Sequence, residues 1–212
     1  MEKAFSPVNL DNIGLTISKL SDEDLKPIRE EIEKIQKNFS SHKKANTELA
    51  GNIEKEFFLS EETRKYTNDL LLPYLNGYDN CFSYTRNVKI FPHNVKVELE
   101  KLWVNFQKKY EFNPSHNHSG LYSFVIWMKV PYYMKDELKN SSGKNSNKNC
   151  PGHFEIHYCN TLGKICDFKI PVDKTMENHL LLFPSEMYHG VYPFYTSDDY
   201  RISVSGNFNF KI

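Results

Sequence analysis

From Val95 onward the chain reads as one strand-like run after another, and this density limits it to a fold built on sheets. "VKVELEKLWVNFQ" alternates as a half-buried strand does, "LYSFVIWMKV" is rich in β-branched and aromatic residues, and "GHFEIHYC", "HLLLFP" and "YRISVSGNFNF" follow. In the last run Arg201, Ser203, Ser205 and Asn207 share one face of an extended chain, while Ile202, Val204 and Phe208 share the other. One face of the final strand is therefore polar. Fifteen Phe and 13 Tyr supply the aromatic bulk that such a sheet buries.

Before residue 80 the period changes. Ser21 precedes "DEDLKPIREEIEKIQKNF", where Leu25, Ile28, Ile32, Ile35 and Phe39 recur at helical spacing and Asp22, Glu23 and Asp24 sit where the helix dipole favours anions. A second amphipathic helix is predicted after Ser60, in "EETRKYTNDLLLPYL", with Pro73 and the following "NG" ending it. Residues 135–152, "KDELKNSSGKNSNKNCPG", read as a solvated polar loop. The expectation is a single domain over residues 1–212. Its residues 1–80 would be a mainly helical support and its residues 95–212 a β-barrel core. The fold class expected is mainly β with N-terminal helices (α+β), the helices packed on the outer face of a curved antiparallel sheet or jelly roll.

Lys plus Arg and Asp plus Glu each number 27, so the chain lacks the broad positive field that non-specific nucleic-acid or anionic-membrane binding requires. No nucleic-acid or membrane partner is expected. The opening "MEKAFSPVNLDN" lacks the basic-then-apolar pattern of a signal peptide, and no apolar run reaches membrane-span length, which points to the cytoplasm. Cys81, Cys150, Cys159 and Cys166 form no C-x-x-C and are read as free thiols. A zinc site from Cys150, Cys159 and Cys166 with His153 or His157 is the alternative, but those spacings fit no zinc finger.

Two histidines one residue apart occur in "PSHNHSG", between the strand around Trp103 and the strand "LYSFVIWMKV". In extended chain His116 and His118 point to the same face, where two imidazoles can share a metal ion, or each can simply be satisfied in a polar turn. Farther on, His189 starts an apolar strand and Arg201 starts another twelve positions later. Two strands of an antiparallel pair can bring those residues together.

The order of these pieces, "WVNFQ…FNPSHNHSG", then "FPSEMYHGVYPF", then "RISVSGN", resembles the 2-oxoglutarate- and Fe(II)-dependent oxygenases, specifically a short branch familiar from marine bacteriophages and bacteria. The resemblance covers Leu99 to Phe210. It implies a double-stranded β-helix, the cupin-like jelly roll, with Fe(II) bound by His116, His118 and His189 and the distal carboxylate of 2-oxoglutarate clamped by Arg201. Ser203, Tyr122 and Asn105 are further candidates for the cosubstrate pocket, with Trp103 beside them. The implied activity couples decarboxylation of 2-oxoglutarate to oxidation of a substrate, as in a hydroxylase. That substrate would be a small molecule or a protein side chain, in the host cytoplasm if the chain is phage-encoded.

His118 departs from the superfamily's usual carboxylate, although the phage-like branch often shows H-x-H. Three readings stay open: a three-His metal site, a two-His site with room for water or an anion, or a pocket that has lost catalysis. Glu155 or Glu186 could supply a carboxylate instead. A cupin-like binding module or a phage accessory protein is the rival to an enzyme. The substrate and the oligomeric state have no signature in the sequence.

Overall fold

The computed structural model describes residues 12–87 and 96–211. The opening segment read above for a leader, and Val95, lie outside the described residues. The strands are β1 (Thr16–Lys19), β2 (Glu56–Phe58), β3 (Lys96–Gln107), β4 (Asn113–His116), β5 (Tyr122–Lys129), β6 (His153–Cys159), β7 (Ile165–Pro171), β8 (His179–Pro184), β9 (His189–Val191) and β10 (Arg201–Lys211). The helices are α1 (Asp22–Lys37), α2 (Glu61–Phe82), α3 (Tyr84–Asn87) and α4 (Met134–Asn140).

All strand pairs are antiparallel. A six-stranded sheet runs in the order β1-β8-β5-β10-β3-β2, and a four-stranded sheet in the order β4-β9-β6-β7. The two face each other as a jelly-roll-like sandwich, with Val125, Trp127, Leu181 and Phe183 of the larger sheet packed against Phe154, Ile156 and Ile170 of the smaller one.

The other face of the larger sheet meets the helices. Leu25, Ile28, Ile32 and Ile35 of α1 and Leu71, Leu75 and Tyr78 of α2 share one apolar cluster with Leu102, Val104 and Phe106 of β3, Phe124 and Ile126 of β5, and Ile202 and Val204 of β10. The central strands are thus buried on both sides, and their alternation sorts side chains between two interiors. A bulge where Asn207 pairs with Lys101 but Phe208 with Leu99 leaves Glu100 as an extra residue in β3. That shift lets Leu99 and Leu102, which strict alternation would separate, both reach the helical side.

Helix α1 starts at a reciprocal cap. Ser21 Oγ accepts the Asp24 amide at 3.1 Å, and Asp24 Oδ2 accepts the Ser21 amide at 3.3 Å. Helix α2 does not stop at Pro73 or at Asn76-Gly77, as the sequence led us to expect, but continues to Phe82. Both helix breakers lie on its exposed face. The final turns are held by burial of Leu75 and Tyr78, whose hydroxyl donates to the Gly14 carbonyl at 2.6 Å. Tertiary packing here outweighs local propensity. The helix ends at Ser83, which takes the left-handed conformation with φ 50°.

Two further differences from the sequence reading concern short elements. Strands β1 and β2 lie in the half read as helical, and extend the larger sheet at its two edges beside β8 and β3. The segment read as a polar loop over 135–152 begins with α4. The residue that α4 buries is a carboxylate, Glu137, which accepts the amides of Tyr195 and Thr196 at 2.8 Å each, so an apolar pattern could not announce it. Among the described residues no helix is long and apolar enough to cross a membrane.

Gly77 shows open space around a built Cβ and has no left-handed backbone to protect. Gly77→Ala is expected to raise the unfolding free energy by about 0.5–1 kcal/mol, read from the urea midpoint at unchanged m-value. No change or a loss would mean that the last turns of α2 are not helical in solution.

Candidate metal centre

The antiparallel pairing of β4 with β9 sets His116 directly opposite His189. His118 follows β4 by two residues and is fixed through its amide, which donates to the Ser185 carbonyl at 2.9 Å. The ring centroids are 4.4 Å apart for His116 and His189, 4.9 Å for His116 and His118, and 5.0 Å for His118 and His189. One ligand atom from each ring lies within 4.8 Å of the other two. Imidazole nitrogens sharing one ion at about 2.1 Å sit roughly 3 Å apart, so small ring rotations would close the set.

The tautomers follow from the neighbours. Nδ1 of His116 lies 2.7 Å from the Pro114 carbonyl oxygen, and Nδ1 of His189 lies 2.9 Å from that of Met187. A carbonyl can only accept, so Nδ1 carries the proton and Nε2 keeps its lone pair. Phe154 stacks on the His189 ring at 5.4 Å and 11°, and Phe183 meets its plane at 4.8 Å. Trp103 lies 5.8 Å from His118. Burial among these rings pushes His189 down to about 3 and His118 down to about 4, with His116 adding a smaller repulsion in each case. His116 is lowered too, again by burial. At neutral pH all three are uncharged bases. An uncharged imidazole trio at a cavity wall fits Fe(II), which accepts nitrogen donors and tolerates open positions.

The cavity lies between the two sheets and has a volume of about 50 Å³. The three histidines, Trp103, Asn105, Arg201 and Ser203 all line it. Asn105 Nδ2 donates to Ser203 Oγ at 3.2 Å across the β3–β10 pair. Tyr122, named from the sequence as a pocket candidate, does not belong there. On β5 it shares parity with Phe124 and Ile126, packs in the helical cluster, and turns its hydroxyl to Asp79 at 3.3 Å. Its odd-numbered neighbours Ser123, Val125 and Trp127 face the cavity instead.

Arg201 is 3% exposed, and its whole fork is engaged. Nε and Nη2 donate to the single oxygen Gln107 Oε1 at 3.0 and 2.5 Å, Nη1 to the Tyr132 hydroxyl at 2.7 Å and the Gly152 carbonyl at 3.1 Å, and Nη2 also to the Tyr192 carbonyl at 3.3 Å. Every one of these acceptors is neutral. Gln107 and Tyr132 were not singled out in the sequence. Gln107 continues the inward parity of Trp103 and Asn105, which is a readable signal, whereas Tyr132 lies past the end of β5 and carries none.

The other ligand candidates sit elsewhere. Glu155 is taken up by Lys169 Nζ at 2.7 Å and the Tyr192 hydroxyl at 3.0 Å, and Glu186 is exposed. His157 pairs with Asp167 at 3.0 Å, and His153 rests on the Pro151 carbonyl at 2.9 Å. The four cysteines are free thiols, and among the described residues the one group able to hold a metal is His116, His118 and His189.

Residues 101–207, half of the chain, match the family described as "Putative 2OG-Fe(II) oxygenase". No curated protein sequence matches the chain. Among solved structures, a prolyl-4-hydroxylase from Pseudomonas putida superposes with a TM-score of 0.55 at 13% identity, covering 94% of each chain. The viral collagen prolyl hydroxylase of Paramecium bursaria Chlorella virus-1, in its 2OG complex, gives 0.51 at 11% identity over 92% of this chain and 94% of that one. A prolyl 4-hydroxylase from Phytophthora capsici gives 0.51 at 11% identity over 94% of this chain and 60% of that one. These likenesses establish the jelly-roll-like fold, and the family match gives the chemistry its cofactors, Fe(II) and 2-oxoglutarate. The chain belongs to the 2-oxoglutarate- and Fe(II)-dependent oxygenase family and is a dioxygenase.

Proposed function

We propose that His116, His118 and His189 together hold the Fe(II), that Arg201 receives the distal carboxylate of 2-oxoglutarate, and that the enzyme hydroxylates a small molecule or a protein side chain. The observation that carries this reading is one cavity with three neutral imidazoles and a buried guanidinium in its lining, the latter matched only by neutral acceptors among the described residues. The H-x-H form of the first motif supports placing the chain in the short branch familiar from bacteriophages, and the shared two-sheet interior supports one domain over the whole chain. The prolyl hydroxylases among its structural neighbours are the reason to keep a protein side chain beside small molecules as substrate.

When bound, the iron supplies the oxidative chemistry in which 2-oxoglutarate, O2 and a substrate C–H bond become succinate, CO2 and a hydroxylated product. The chain's own residues prepare the site for it. Pro114 and Met187 hold the Nδ1 protons of His116 and His189, so that Nε2 is available as donor. Gln107 Oε1 occupies the side-on pair of Arg201 donors, Nε and Nη2, that suits a carboxylate, and an arriving carboxylate displaces this one neutral oxygen with two charged ones. Trp103, Trp127, Phe154 and Phe183 line the cavity and exclude water from the reacting groups. Ser203 and the amide of Asn105 lie next along the same wall as Arg201.

The first test is anaerobic loading with Fe(II) followed by 2-oxoglutarate and air, with succinate as the readout. Arg201→Ala is expected to weaken 2-oxoglutarate binding roughly 100-fold while Fe(II) binding stays near wild type, and His189→Ala to lose the metal first. Unchanged 2-oxoglutarate affinity in Arg201→Ala would remove that residue from the site.

The buried histidines make a second prediction. Because burial holds His118 near 4 and His189 near 3, protons do not compete with metal at those two positions above about pH 5. Anaerobic Fe(II) affinity should therefore fall by less than about tenfold between pH 7.5 and 5.5, where three histidines of ordinary pKa would lose about a thousandfold. A loss of the larger size would move the metal to exposed histidines.

A further inference from the structure

The same cavity contains polar oxygens that neither Fe(II) nor 2-oxoglutarate explains. Glu56 of β2 is 1% exposed and Asn105 of β3 is 5% exposed, and the two are paired across the strands. Glu56 Oε1, Asn105 Oδ1 and Asn113 Oδ1 are buried atoms of cavity-lining residues without a hydrogen-bond partner among the described residues. Asn46 steers the carboxylate: its Nδ2 donates to Glu56 Oε2 at 3.2 Å and to the Ile53 carbonyl at 2.6 Å, leaving Oε1 turned away. A Cβ built on Gly51 would stand 2.6 Å from Asn113 Oδ1 and 2.7 Å from Glu56 Oε1, so both oxygens lie against Gly51 and only a residue without a side chain fits beside them.

We propose that Glu56, Asn105 and Asn113 form the docking site for a primary ammonium group of the substrate, so that this oxygenase acts on an amine. The inference rests on the reading of the cavity as an oxygenase site and adds the chemical class of what enters it. An ammonium brings three N–H donors and a positive charge to three oxygens, one of them a carboxyl that ionises beside a cation, whereas an alcohol brings a single donor and no charge. Buried acceptors left without donors are costly, so a protein that keeps three of them in one cavity gains when a ligand supplies the donors. Burial, with Glu111 nearby, lifts the Glu56 carboxyl to about 8, and a cation beside it restores the charge that burial opposes. Carboxylates or phosphates would meet only oxygens there.

The probe is n-propylammonium, with n-propanol as the neutral compound of the same shape, titrated calorimetrically under anaerobic conditions into protein loaded with Fe(II) and 2-oxoglutarate. Saturable binding of the ammonium and not of the alcohol is expected, weakened about tenfold or more in Glu56→Gln, which keeps the shape of the side chain and removes its charge. Asn113→Ala, which removes one of the three oxygens and leaves the carboxylate in place, should weaken it too. Absence of saturable ammonium binding to the wild type overturns the proposal, as does equal binding of propanol or undiminished ammonium binding by both variants. Binding of 2-oxoglutarate to the wild type, measured in the same series, separates the two readings. If 2-oxoglutarate binds and propylammonium does not, this inference alone falls. Failure of 2-oxoglutarate itself would remove the reading beneath it.

Discussion

A strand covered by helices on one face and by a second sheet on the other has no solvent in which to leave a polar side chain, and β10 is such a strand. Its even-numbered residues Ile202 and Val204 join the apolar cluster under α1 and α2, and its odd-numbered residues Arg201, Ser203 and Ser205 line the cavity. A guanidinium placed there must be satisfied by whatever surrounds it, and the surroundings are built accordingly. Gln107 comes from the neighbouring strand, Tyr132 from the segment after β5, Gly152 from the turn before β6, and Tyr192 from the residue after β9. One buried cation thus ties together both sheets. A buried charge deprived of its partners typically costs several kcal/mol, so the arrangement around Arg201 is a condition for the fold as much as for the site.

The same two-sided burial explains what could be read in the sequence. The long strands β3, β5, β6, β8 and β10 were legible because alternation or apolar runs mark them, and Arg201, Ser203 and Asn207 were correctly grouped on one face because parity is a local property. Parity does not say which interior a face meets. In β10 the contrast between polar and apolar residues answers that question, but β5 is apolar on both faces, and so Tyr122 was placed in the pocket when it packs against Tyr78 and Tyr84 under the helices. The histidines were legible as a pair and as a distal third, but their convergence depends on the pairing of β4 with β9, two strands of four and three residues that carry no periodicity.

Other features were hidden because long-range contacts decide them. Nothing near Pro73 and Gly77 tells that Leu75 and Tyr78 will be buried strongly enough to carry α2 past both. Glu56 lies in a three-residue strand between Lys55 and Phe57, where a charged residue reads as solvent-facing, and only its pairing with Asn105 turns it into the cavity. Glu137 was hidden for the same reason. Its amide partners, Tyr195 and Thr196, come from a segment distant in the chain.

The absence of a carboxylate from the histidine cluster bears on how the cavity manages charge. With Fe(II) held by the three imidazoles as proposed, both of its positive charges would stay in place, Arg201 would add a third, and the two carboxylates of 2-oxoglutarate would cancel two of them. A carboxylate ligand would neutralise the remainder at the metal itself. Here the acidic residue among those lining the cavity is Glu56, and the charged neighbour that shifts its titration is Glu111, not the histidines or Arg201. Burial holds this carboxyl near 8, so at neutral pH it takes on its charge when a cation comes beside it. Two unit charges 4 Å apart at a protein-like effective dielectric attract by about 4 kcal/mol, and the attraction falls as they separate. A carboxylate bound to iron spends that attraction on the metal, but at Glu56 it is available to a cation that enters the cavity, and Asn46 fixes which oxygen the cation meets. In the proposed site, the neutral His118 beside the other two imidazoles and the buried Glu56 are thus two parts of one charge arrangement. In that arrangement the histidines would set the affinity for metal, and the proposed role of Glu56 would be to choose the substrate.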